Sequence, residues 1–175
     1  MAVKFGFKPF GEIMRIRRYI ANETLYPGDL VQLVTGPADT TRDTASVAVG
    51  TVGAAGILIG AAATYATAGN EILVYDHPDQ WFYAATNSAD INLGNDLGKN
   101  VDFVATAGST VYKISQQTID GATTAATIDL PLKLIKKLPI DKGTILGGYA
   151  TTGNCWVVKI NIHQLGEAIT GTLGI

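Results

Sequence analysis

Apolar and polar residues alternate over short stretches along most of this chain, and turn-forming residues separate the stretches. Alternation marks strands, because successive side chains of a strand point to opposite faces. The clearest case is Trp156 to His163 (WVVKINIH): Trp156, Val158, Ile160 and Ile162 share one face, and Val157, Lys159, Asn161 and His163 the other. That pattern predicts a half-buried antiparallel strand. Asp29 to Thr35 (DLVQLVT), Glu71 to Asp76 (EILVYD) and Gln80 to Thr86 (QWFYAAT) are further strands. The last two are separated by the His77-Pro78-Asp79 corner, where proline cannot donate to a ladder. Val101 to Ala105 and Thr110 to Ser115 read as a hairpin around Ala107-Gly108, and 118 to 127 as a polar link. Ile128 to Leu138 (IDLPLKLIKKL) reads as an edge strand around Pro131, its lysines discouraging edge-to-edge pairing. Asn87 to Asn100, rich in Asn, Asp and Gly, is predicted to be a long exposed loop.

Thr44 to Asn70 carries no charge, and its length alone would allow a membrane crossing. Its content argues otherwise, because Gly50, Gly53, Gly56 and Gly60 recur at short intervals and each weakens a helix by up to about 1 kcal/mol. Short strands buried on both faces, with cores at Ser46 to Val52 and Gly56 to Gly60, account better for the missing charge.

Together these stretches predict an all-β chain: a single β-sandwich or barrel-like domain with an extended N-terminal arm. The arm is residues 1–26, the β-rich body 27–165 and a C-terminal tail 166–175. Pro27-Gly28 opens the body as a turn, proline presetting φ at the first central position and glycine accepting positive φ at the second. Within the arm, residues 1–11 read as irregular, while Ile13, Ile16 and Ile20 fall at near-helical spacing and predict a short amphipathic helix over Glu12 to Ala21. Extended, the arm would reach about 80 Å, onto a neighbouring molecule; the other reading packs it back on its own domain as an edge strand.

Charge sharpens the arm. Lys4, Lys8, Arg15, Arg17 and Arg18 oppose Glu12 alone in residues 1–20, giving +4, so the remainder is −6 in a chain whose net charge is −2. The acidic body would repel a polyanion, which argues against nucleic acid and for an acidic protein surface as the arm's target. Cys155 is the sole cysteine and permits no intramolecular disulfide. No apolar stretch with a cleavage site follows the basic N-terminus, so no signal peptide is expected.

Candidate chemistry is sparse. His77 has Asp76 and Asp79 beside it but no further partners at metal-ligand or catalytic spacing. Cys155 and His163 lie about 26 Å apart along one predicted strand. No phosphate loop or dinucleotide fingerprint occurs. The expectation is no enzyme, no metal and no cofactor.

The basic arm, the strand DLVQLVT after Tyr26-Pro27-Gly28, the block VAVGTVGAAGILIG, then EILVYDHPDQWFYA and the late WVVKINIHQLG together resemble the cement, or capsid decoration, proteins of tailed double-stranded DNA bacteriophages. The resemblance covers most of the chain as a style rather than as a diagnostic motif. It implies a β-tulip or barrel-like body that clamps neighbouring major capsid proteins on the outer capsid surface. It also implies a homotrimer or dimer, synthesis in the host cytoplasm, and no membrane partner. The arm residues expected to bind the capsid are Lys4, Phe5, Phe7, Lys8, Phe10, Arg15, Arg17, Arg18 and Tyr19. The alternative is a head-fibre, tail or adhesin-type module binding glycan or receptor through the 87–100 loop with Trp81 or Tyr83.

Overall fold

The computed structural model describes residues 4–39, 44–53, 57–87, 89–126, 129–140, 145–146, 149–150 and 153–165. The expected tail, 166–175, lies outside them. Two β layers share the chain. A closed five-stranded barrel, in the order β2-β4-β3-β5-β6, is built from β2 (Ile16–Ala21), β3 (Leu30–Asp39), β4 (Thr44–Val49), β5 (Gly60–Ala62) and β6 (Glu71–Tyr75). A six-stranded sheet, in the order β1-β7-β13-β10-β8-β9, uses β1 (Lys8–Phe10), β7 (Trp81–Ala85), β8 (Asn100–Val104), β9 (Thr118–Ala125), β10 (Leu132–Lys137) and β13 (Cys155–Ile160). A small pair, β11 (Ile145–Leu146) with β12 (Tyr149–Ala150), and the single-turn helix α1 (Leu93–Asp96) complete it. The chain is therefore all-β, with a barrel joined to a sheet.

Two apolar cores explain the charge-free block. Leu30, Leu58 and Ala61 pack with Phe82, Phe103, Trp156 and Val158 between barrel and sheet. Their immediate neighbours Val31, Ile59 and Ala62 fill the barrel with Val47, Ile72 and Val74. Adjacent residues of one strand thus feed opposite cores, and a strand buried on both faces has no room for a charge. Gly60 is needed where β5 meets β6: a Cβ there would collide with the Tyr75 carbonyl. The Pro27-Gly28 turn forms as expected, with φ of 96° at Gly28 and the Asp29 N–H donating to the Tyr26 carbonyl at 2.9 Å.

Several expectations need correction. Residues 12–21 form no helix. Ile16–Ala21 is a strand, antiparallel to β6 and parallel to β4, and its long-range ladders outweigh the local periodicity. The predicted hairpin partner at Thr110 to Ser115 is a turn, closed by a Ser109–Ile114 bridge. The partner of β8 is instead β9, which sequence reading takes for a polar link. β9 is an edge of the sheet, where a polar strand meets little packing demand. Conversely β10 is interior, between β13 and β8; its lysines are tolerated because only Leu132 and Leu134 face the core. β13 alternates as predicted, Trp156, Val158 and Ile160 entering the core, but it is covered on both faces rather than half-buried. The 87–100 loop holds α1, capped by the Asn92 side chain, which accepts from the Gly94 N–H at 2.9 Å. Ile91 anchors it, held by the buried Asn154, whose Nδ2 donates to the Ile91 carbonyl at 2.9 Å.

Candidate binding surface

The N-terminal segment is extended, yet in the described residues it is laid into the body rather than held away from it. Phe5 is buried against Tyr83, ring centroids 5.9 Å apart, and packs with Ala85 and Cys155 on the outer face of the sheet. Phe7 enters the main core edge-on to Phe103, at 6.3 Å. Lys8 and Phe10, both half-buried, lie in β1 opposite Tyr83 and Trp81; Lys4 is also half-buried. β1 is thus an edge strand.

Beyond β1 the segment meets Asp76, the fully buried carboxylate at the end of β6. Residues 15, 17 and 19 fall on one face of an extended chain and converge on it. Arg15 donates from Nε to Oδ1 at 2.7 Å and from Nη2 to the Asp76 carbonyl at 2.8 Å. Arg17 Nε lies 3.3 Å from Oδ2, and the Tyr19 hydroxyl donates to Oδ2 at 2.6 Å. Burial first, and then the neighbouring carboxylate, hold the Tyr19 phenol protonated far above its ordinary range. Arg18 sits 3.9 Å from Glu71 in an exposed pair. All three arginines of the segment therefore face acids of the same chain, and Asp76 and Glu71 offset part of the +4 seen in sequence.

Besides Glu12, Arg17 and Arg18, the segment leaves apolar side chains exposed. Ile13, Met14 and Ile16 are 49%, 50% and 43% exposed, and Trp81 is 40% exposed. Gln80 gathers them: its buried side chain accepts from the Met14 N–H at 3.0 Å and donates to the carbonyls of Glu12 and Trp81. The patch continues to Phe10, opposite Trp81. The sequence points to Trp81 and Phe10 but not to Ile13, Met14 and Ile16, because Ile13 and Ile16 look like one buried helical face until the strand ladder turns them outward.

A polar cavity of about 580 Å³ is lined among others by Arg15, His77, Asp79, Lys159, Asn161 and His163, and Lys159 is the strand partner of Trp81. The two histidines, distant in sequence, meet here. Each accepts a backbone N–H two residues ahead on Nδ1, His77 from Asp79 at 3.1 Å and His163 from Leu165 at 3.0 Å. That bond places the proton of the neutral ring on Nε2. His163 Nε2 closes no hydrogen bond, its only support being a weak interaction with the Ile59 backbone. Burial pushes the His163 imidazole down to about 4, so it is neutral at pH 7. Lys159 Nζ donates to Asp79 Oδ1 at 2.6 Å and holds that carboxyl below its usual range. Among the described residues, no group of three or more His, Cys, Asp and Glu could hold a metal. Cys155 is buried, and that burial pushes its thiol up to about 11.

Asp29 is a second buried acid, away from this surface. Its Oδ2 accepts the Tyr26 N–H at 2.8 Å, and burial pushes its carboxyl up to about 6. A carboxyl raised on folding binds protons more tightly in the folded chain, so its contribution is present at low pH and is lost as pH rises through about 6. Asparagine mimics the protonated form. Asp29→Asn is therefore expected to be more stable than the parent by about 2 kcal/mol at pH 7.5, and equal to it near pH 4. Urea titrations at the two pH values check this.

No family model and no curated protein matches this chain. Among the described residues, no helix is long and apolar enough to cross a membrane.

Proposed function

We propose that this chain is a structural, non-catalytic virion protein that binds the outer surface of an icosahedral phage capsid and stabilises it by clamping neighbouring major capsid proteins. The observation carrying the reading is the exposed apolar patch of Ile13, Met14, Ile16 and Trp81, held in place by Gln80. Large apolar side chains left exposed close to one another in this way mark a protein interface, and Gln80 brings the main chain of Met14 and Trp81 together. The sequence resemblance to decoration proteins, with its homotrimeric or dimeric assembly, supports the same reading. Asp76 and Glu71 offset part of the charge of Arg15, Arg17 and Arg18, which lowers the segment's attraction for a nucleic acid. The N-terminal segment acts by its outward edge, its aromatic residues supporting the body from within.

Met14→Asp combined with Trp81→Ala tests this in co-sedimentation with capsids of the matching phage. Binding is expected to fall at least about tenfold with the melting temperature nearly unchanged, since both side chains lie outside the core. Undiminished binding overturns the reading. The head-fibre or adhesin alternative rests on the exposed Trp81 ring, which suits stacking on a sugar. It predicts glycan binding that Trp81→Ala removes and Met14→Asp alone leaves intact.

A further inference from the structure

The polar cavity carries an assignment of its own. Arg15 spends two of the five N–H groups of a guanidinium on Asp76. Lys159 spends one of three on Asp79. His77 Nε2–H has no hydrogen-bond partner among the described residues, whereas the buried His163 Nε2 faces the Ile59 backbone rather than the cavity. Asp79 is the acid facing these donors, and Lys159 already occupies one of its oxygens; Asp76 lies beneath Arg15, fully buried. Asp76 and Asp79 thus balance Arg15 and Lys159 in charge, and what the cavity keeps is unused N–H donors on Arg15, Lys159 and His77.

The strands tie this cavity to the patch. Arg15 lies between Met14 and Ile16 in the chain, and Lys159 is the direct neighbour of Trp81 across the β7–β13 ladder. A ligand group held by Arg15, Lys159 and His77 would carry its flanking atoms onto Trp81, which shares a face of the sheet with Lys159. We propose that the cavity receives the carboxylate of an Asp or Glu side chain in an extended segment of the capsid partner, with the apolar residues flanking that acid covering the patch. This rests on the capsid-binding reading. The carboxylate accepts charge-assisted hydrogen bonds from Lys159 and Arg15, and the imidazole N–H of His77 sets its orientation. Such a site gives register: the apolar patch supplies contact area, and the acid selects which segment lies on it.

Two measurements separate this assignment from the reading beneath it. In the first, amide and imidazole NMR signals of the intact chain are followed during titration with N-acetyl-glutamate methylamide, its glutamine counterpart, or inorganic phosphate. Saturable shifts at His77, Asp79, Lys159 and Leu165 with the glutamate probe, and none with glutamine, are expected. Equal shifts with glutamine, or none with either, overturn the site. Stronger binding of phosphate than of glutamate reassigns it to a free oxyanion and overturns the carboxylate. In the second, Lys159→Glu is expected to weaken capsid co-sedimentation about tenfold, and Lys159→Arg to restore it, with melting temperatures close to the parent's. Unchanged binding by Lys159→Glu overturns the proposal. If the parent chain itself fails to bind capsids while the glutamate probe still occupies the cavity, the capsid partner falls, and the carboxylate site keeps only its chemistry.

Discussion

Deleting residues 2–20 abolishes the cooperative unfolding transition: that is the expected result, even though these residues look in sequence like a detachable arm. The deletion removes β1 and nearly all of β2, and with β2 the two ladders, to β4 and β6, that close the barrel. It also removes Phe5 and Phe7, which are 2% and 1% exposed. Truncating a buried phenylalanine costs about 3–5 kcal/mol, and a domain's whole stability is only about 5–15 kcal/mol. Two such losses, before the broken ladders are counted, leave little to hold the fold. Near-ultraviolet circular dichroism and a urea titration check it. A sharp transition with native near-ultraviolet signal in the truncated chain would show that the segment is dispensable. One consequence is practical: loss of capsid binding on this deletion would say nothing about contact, whereas substitutions at the exposed Met14 and Trp81 leave the ladders in place.

The second large effect falls on Asp76. Asp76→Ala is expected to cost about 3 kcal/mol, since it leaves the Tyr19 hydroxyl buried without its acceptor and removes the carboxylate that Arg15 Nε and Arg17 Nε face, while the Arg15 bond to the main-chain carbonyl of residue 76 stays. For a chain of this size that lowers the melting temperature by about 6–12 °C. The loss stays at the lower end for a buried ion pair because Arg15 and Arg17 side chains are 30% and 50% exposed and can turn to water. Arg17→Ala, by the same reasoning, costs no more than about 1 kcal/mol. Because Asp76 is wholly buried, most of the Asp76→Ala loss should persist in 1 M salt, where exposed pairs are screened within about 3 Å. Equal stability of Asp76→Ala and parent in calorimetry would mean that the convergence of Arg15, Arg17 and Tyr19 on this carboxylate does not hold the barrel closed.

Part of this organisation is legible in the chain itself. Trp156, Val158 and Ile160 alternate into the core, as do Ile72 and Val74 in β6, because a strand with one demanding face records that demand at every second residue. The lack of charge in the Thr44 to Asn70 block points to the two-sided burial of Leu58 to Ala62, but Thr51, Val52, Tyr65 and Thr67 to Asn70 in the same block are exposed, and the strand begins at Gly60 rather than spanning Gly56 to Gly60. β9 and β10 are less legible. An edge strand such as β9 needs few apolar residues, and an interior strand such as β10 can carry Lys133 and Lys136 where one face of the sheet meets solvent. Composition therefore ranks the two strands in the wrong order.

The binding surface was the least readable. Its apolar members, Ile13, Met14, Ile16 and Trp81, resemble core residues, and its cavity joins Arg15, His77, Lys159 and His163 from separate parts of the chain. Gln80 and Asp76, which organise it, leave no periodic signal: a buried polar residue is recognised only by the partners it satisfies.

The sequence by itself determined the all-β class, the Pro27-Gly28 turn, most of the strands and the contrast between a basic segment and an acidic body. These follow from local rules, since alternation, turn stereochemistry and charge are properties of neighbouring residues. Tertiary contacts settle that the basic segment closes the barrel, that Asp76 and Glu71 face its arginines, and that Ile13, Met14 and Ile16 are left at the surface while Ile20 is buried. Those outcomes depend on which strand lies beside which, and residues some sixty positions apart meet only through the long-range ladders of a closed barrel.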